Sequence, residues 1–175
     1  MLKSTTNIRF VIFAFLWVYS NFSFGQVDWK LTKTDGNIQL WVKNVENTGL
    51  KQFKLQTIFN KNIKSVYRLI RDVENMHLWY DKVQEVKLIK KINDSEAVYL
   101  LTYDLPFPFE DRISTVKGMI NYDETERKII VHTDYFPYDL PKDQYNLPKI
   151  TKLKSSWEIF EADNGGIHIT HTGYI

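Results

Sequence analysis

An α+β domain built on a long antiparallel sheet is predicted by three observations. Residues 29 to 175 are dominated by the two-residue period of strands, short turn signals separate these strands, and the helical period occurs convincingly only once, near the front. Strand after strand joined by short turns excludes a doubly wound α/β arrangement, which needs a helix in each crossover.

The chain begins with Lys3 and Arg9 ahead of an apolar run from Phe10 to Tyr19, and the small residues Ser23 and Gly25 precede Gln26. A charged start, an apolar stretch of about ten residues and small residues at the third and first positions before the cut read as a secretory signal peptide over 1–25. The run is too short to span a bilayer comfortably, the alternative to cleavage being an uncleaved N-terminal anchor. Export to the periplasm or the extracellular space is therefore expected, and no cysteine follows Gly25 to carry a lipid anchor.

Residues 26–175 contain no repeat, low-complexity stretch or proline-rich linker and are read as one domain. Trp29 and Leu31, then Ile38, Leu40 and Val42, alternate with polar residues on either side of Asp35-Gly36-Asn37, which predicts a hairpin. Phe53, Leu55 and Thr57 continue as a third strand. Ile63, Val66, Tyr67 and Ile70 then fall at helical spacing, with Asn60 or Asn62 able to cap the start. A short helical piece follows over Val73 to Trp79, whose Met76, Leu78 and Trp79 are expected to pack onto the sheet. After it the strand period returns: Val86 and Leu88, Val98 to Tyr103, Ile113 to Tyr122, Lys128 to Tyr135, Ile150 to Phe160 and Ile167 to Ile175. Asn93-Asp94-Ser95, Asp123-Glu124 and Asn164-Gly165-Gly166 supply hairpin connections between them.

Composition narrows the chemistry. A 43% hydrophobic share suffices for one core, and the absence of cysteine removes disulfides, thiolate zinc sites and cysteine nucleophiles together. Without residues 1–25 the remaining basic groups balance the 21 acidic ones, so nucleic-acid binding is not expected. No glycine fingerprint, phosphate loop or Gly-x-Ser-x-Gly elbow is present, and no cofactor is expected.

Ile129, Val131, Thr133 and Tyr135 share one strand face, as do Leu153, Trp157 and Ile159, and Tyr99, Leu101 and Tyr103. So many aromatic and branched residues require a second long helix or a ligand against them. The strand period still runs at Ile175, so the chain is expected to be truncated at its C-terminus.

The run Tyr103-Asp104-Leu105-Pro106-Phe107-Pro108-Phe109-Glu110-Asp111-Arg112 resembles the strand, Pro-aromatic-Pro turn and Asn/Asp-Arg segment of the START lipid-transfer family. Asp28-Trp29 with Asp35-Gly36-Asn37-Ile38, Val66 to Asp72 with Trp79, and Pro148 to Trp157 resemble other landmarks of that family in order and spacing. Two features differ: Ile113 stands where the family usually has Asp after the Arg, and the family's Pro-Gly-Gly segment and long C-terminal helix do not follow. The resemblance implies a helix-grip fold, a strongly curved antiparallel sheet around an apolar cavity, closed in the family by the C-terminal helix. It implies a non-catalytic monomer that binds, and in some members transfers, a lipid or other apolar small molecule, with transient membrane contact.

Trp79, Tyr99, Tyr103, Val131 and Trp157 are the residues expected to line such a cavity, the alternative for the aromatics being plain core packing. Arg112, at a strand start, either binds a phosphate or carboxylate head group bidentately or pairs with Asp111, Glu110 or another acid. His168 and His171 are three residues apart on a strand, so they face opposite ways and do not form a metal site. A rival reading is a helix-grip enzyme, cyclase or hydrolase in type, which requires His132 or Asp104 to face the cavity beside a Tyr. A third, an extracellular module binding glycans or protein, requires a flat patch of exposed tryptophans.

Overall fold

The computed structural model describes residues 29–141 and 145–174. The expected signal peptide, and Asp28 with it, lies outside these residues.

The expected hairpin forms from β1 (Lys30–Asp35) and β2 (Ile38–Asn44), and β3 (Lys51–Asn60) completes a meander. Gly36 sits at φ 57°, the left-handed conformation that this tight turn demands and glycine adopts without strain. Helix α1 (Ile63–Arg71) follows, and of the two candidate caps Asn62 is the one used: its side chain accepts from the backbone N–H of Lys64 at 2.8 Å. Ile63 and Val66 are buried, as their spacing predicts.

A 3-10 helix over Val73–Leu78 comes next. Its three-residue period aligns Val73, Met76 and the following Trp79 on one side. Leu78 falls off that side and is 74% exposed, which corrects the expectation that it packs onto the sheet.

Six further strands follow among the described residues: β4 (Val83–Lys91), β5 (Glu96–Tyr103), β6 (Arg112–Asp123), β7 (Lys128–Tyr135), β8 (Lys154–Glu161) and β9 (Gly166–Tyr174). All nine form one curved antiparallel sheet in the order β1-β2-β3-β9-β8-β7-β6-β5-β4. The strand expected from Ile150 starts four residues later. Residues 148–150 bond instead to the start of β6, with Ile113 N–H donating to the Pro148 carbonyl and Ile150 N–H to that of Ile113, so they extend β6's pairing rather than β8.

The chain passes from β3, inside the sheet, to β4 at its far edge, and α1 with the 3-10 helix spans that gap across the concave face. At one end Ile63 and Val66 of α1 pack on Ile129, Ile159 and Ile167, all three fully buried. At the other, Val73, Met76 and Tyr80 pack on Val83, Val86, Leu101, Tyr103 and Val116. Val83 and Val86 both face inward despite their odd spacing, because a register shift lies between Val83 and Glu85. The outer face of β5 and β6 is covered as well: Val98, Leu100 and Ile113 are almost fully buried. Lys87, paired with Leu100 across β4 and β5, donates to the Tyr145 hydroxyl at 3.0 Å and ties the connection between β7 and β8 over that side. This curved antiparallel sheet with its helices gripped on the concave face is the helix-grip architecture.

Candidate functional site

Register decides which side chains meet on the concave face, since partners directly across an antiparallel pair share a face. Tyr99 lies opposite Val116, Leu101 opposite Ser114 and Tyr103 opposite Arg112. Val131 lies between Ile120 on β6 and Trp157 on β8, and Trp157 is opposite His171 on β9. All six predicted site residues except Trp79 therefore occupy concave-face positions, and Trp79 caps the 3-10 helix that covers them.

A cavity of about 200 Å³ opens between the helical segment and strands β4 to β7. Its walls include Ile70, Val73, Met76, Tyr99, Val116 and Val131, and its mouth carries Arg71, Lys91, Asp94 and Glu96. Two of the predicted residues, Tyr99 and Val131, thus line it directly. Tyr103 does not: it is buried in the same cluster as the lining residues Leu101 and Val116, two positions along β5 from Leu101. Trp157 stands beside the cavity-lining Val131, with Tyr80 6.2 Å away between ring centroids. Trp79 meets Tyr80 edge-on at 5.9 Å, and its Nε1 is the one buried side-chain polar atom without a hydrogen-bond partner among the described residues. Arg112 is half-buried at the start of β6 and makes no salt bridge among the described residues; Asp111 instead accepts from the Leu105 N–H at 3.3 Å.

Behind Trp157 is a polar pair that the pattern of residues did not single out. His171 is 6% exposed, its ring stacks on Trp157 at 3.9 Å and 16°, and Phe53 meets it edge-on at 4.8 Å. Its Nε2 lies 2.9 Å from the Ser155 hydroxyl. Burial pushes the imidazole down to about 4, so it is neutral at pH 7. Burial also pushes the Tyr80 and Tyr103 phenols above their ordinary value. The signal that could have found the pair is alternation: counted in twos from Ile167, His171 falls on the apolar face of β9.

The other histidines fall where strand phase puts them. His168 faces outward and stacks on Phe160 at 4.7 Å, away from His171. His132 pairs with Met119 and Ser156 on the outer face, and Asp104 is exposed at the end of β5. Among the described residues no group of three or more His, Asp or Glu could hold a metal ion.

No family model matches the chain. An uncharacterised protein of Pseudomonas aeruginosa is 22% identical over 144 residues, which span 82% of this chain and 70% of that protein. Among solved structures, a STAR-related lipid transfer protein from Xanthomonas axonopodis aligns with a TM-score of 0.72 at 23% identity, over 83% of this chain and 80% of that one. The lipid transfer and protein localization domain of human StarD13 gives 0.70 at 16% identity over 99% and 83%, and human StAR-related lipid transfer protein 5 gives 0.66 at 11% over 95% and 79%. The nine-stranded sheet, the helical segment across its concave face and these superpositions together identify the fold of this chain as that of the STAR-related lipid transfer domains.

Proposed function

We propose that the protein is a non-catalytic carrier that binds a lipid or other apolar small molecule against the concave face. The observation that carries this reading is the cavity walled by Ile70, Met76, Tyr99, Val116 and Val131, apolar along its depth and charged only at its mouth. At about 200 Å³ it is smaller than the roughly 300–1,000 Å³ usual for small-molecule sites, so a ligand either enters in part or widens it. Burying about 300 Å² of apolar ligand surface gives on the order of 7 kcal/mol before ordering costs. In this reading Tyr99 and Val131 contact the ligand directly, Trp157 and Tyr103 pack beside them, Trp79 offers a donor unused among the described residues, and Arg112, which has no salt bridge among those residues, takes an anionic group.

Carrier chemistry is favoured over catalysis by what surrounds the Ser155–His171 contact. Ser155 and His171 are within hydrogen-bond distance, yet an imidazole held near 4 is a weak base at neutral pH. His132 and Asp104, the positions on which the enzyme reading depended, do not face the cavity. Contact with membranes would use the loop between β5 and β6, where Phe107 is 97% and Phe109 63% exposed. Export, on the strength of residues 1–25, is part of the same proposal.

Native mass spectrometry of the mature protein from its own source, followed by organic extraction, tests the reading. A stoichiometric apolar adduct that is lost on denaturation supports it. A clean apo mass, with no uptake from a mixed lipid extract, overturns it.

A further inference from the structure

Three of the five ammonium– or guanidinium–ring contacts among the described residues fall on two tryptophans at one place. Lys43 Nζ lies 4.6 Å from the centre of the Trp29 ring, and Lys54 Nζ lies 5.1 Å from Trp29 and 4.6 Å from Trp41. Such contacts occur roughly once per 70–80 residues, so three on two neighbouring indoles form a cluster rather than scatter. Trp41 pairs with Leu31 on β1 and with Lys54 on β3, and Leu31 is 48% exposed. Val42 and Phe53, the neighbours of opposite phase, belong to the concave face, so the cluster lies on the outer face, away from the cavity. Neither Lys43 nor Lys54 has a carboxylate partner among the described residues, whereas Lys33, Lys64, Lys91, Lys117, Lys128 and Lys154 each do.

We propose that Trp29, Leu31, Trp41, Lys43 and Lys54 form a docking patch for the surface of a bilayer that contains anionic lipid. Indole rings settle at head-group depth, and lysines beside them meet lipid phosphates at that same depth. A glycan is disfavoured, because it stacks on open indole faces and each indole here already carries a lysine on one face. A planar partner also fits the placement: Lys43 near the end of β2 and the Phe107 loop after β5 lie at the same end of the sheet, as the chain of strand pairings shows. A bilayer can engage both, which a small polyanion cannot.

Vesicle sedimentation tests the patch, using the mature protein at low ionic strength with phosphatidylcholine alone and with phosphatidylcholine plus phosphatidylglycerol. Wild type is expected to prefer the anionic vesicles. Neutralising one lysine, Lys43→Gln or Lys54→Gln, should weaken that binding about fivefold, and both together about twenty-five-fold. Trp41→Ala should lower binding to both vesicle types, while Lys90→Gln, an exposed lysine on β4, should change little. The glutamine variants sit on the outer face and should still take up apolar ligand, which separates this proposal from the carrier reading. No preference for anionic vesicles, an equal loss from Lys90→Gln, or equally tight binding to soluble dextran sulfate overturns it.

Discussion

Stacked between Trp157 and the edge of Phe53, His171 has exchanged water for ring faces and one hydroxyl. Its neutral form is the one that the fold accepts, with a folded value of about 4 against about 6.5 in an unfolded chain. The unfolded state therefore binds more protons between those values, so stability is fully present above pH 6.5 and is lost as pH falls through about 4. The loss amounts to about 3 kcal/mol for this one group. Urea denaturation at several pH values should show that decline, and His171→Phe, which keeps a ring for the stack, should flatten it; an equally steep decline in the variant removes His171 as the cause. Gly173, two residues on, makes a second prediction. A Cβ there would stand 2.6 Å from the Lys154 carbonyl and 3.2 Å from the Phe53 ring, so Gly173→Ala should cost about 1–3 kcal/mol in the same assay.

Among the elements, α1 is nine residues long and has no acidic residue in its first turn, so its start relies on the Asn62 cap. Asn62→Ala should lower stability by about 1 kcal/mol, whereas Asn60→Ala, at the other candidate position, should have little effect. The packing beneath the helix matters more: Ile159→Ala, in the fully buried cluster under Ile63 and Val66, should cost about 2–5 kcal/mol. Most elements were legible in the sequence for a simple reason. Alternation and turn residues are local, and in β1 to β7 they agree with the pairing that the sheet imposes. Two residues depart from that agreement, one through a distant partner and one through a local change of period. Ile150 is apolar and lies just ahead of β8, but it is out of phase with Leu153, Trp157 and Ile159, and its backbone pairs with Ile113, 37 positions earlier in the chain. Leu78 has the composition of a packed residue, but a 3-10 period of three, rather than 3.6, rotates it outward.

At the level of the whole molecule, the cavity exists because α1 and the 3-10 helix hold the two ends of a curved sheet without filling the space between them. That property belongs to no single segment, which explains why the candidate site was only partly legible. Strand phase groups Tyr99, Val131 and Trp157 each with the apolar residues of its own strand, and the register makes those faces the concave one. Phase could not say that Tyr103 stays out of the cavity wall, or that Met76 and Ile70 reach it from the helices. Gly118 brings no side chain to the cavity wall, and that lack keeps the space open. It faces the cavity between Ala97 and Thr133, and a Cβ there would meet only the Tyr99 ring, at an ordinary 3.5 Å. Gly118→Leu should therefore fold, because its first carbon fits and glycine is a poor strand residue. Its remaining carbons would occupy the space that a ligand needs. The apolar adduct in native mass spectra should disappear while the thermal midpoint stays level or rises, since the void is filled by the chain itself. An adduct retained at full stoichiometry in Gly118→Leu would move the ligand to another part of the concave face, with the open strip of Val42, Phe53 and Leu55 on β2 and β3 as the next place to block.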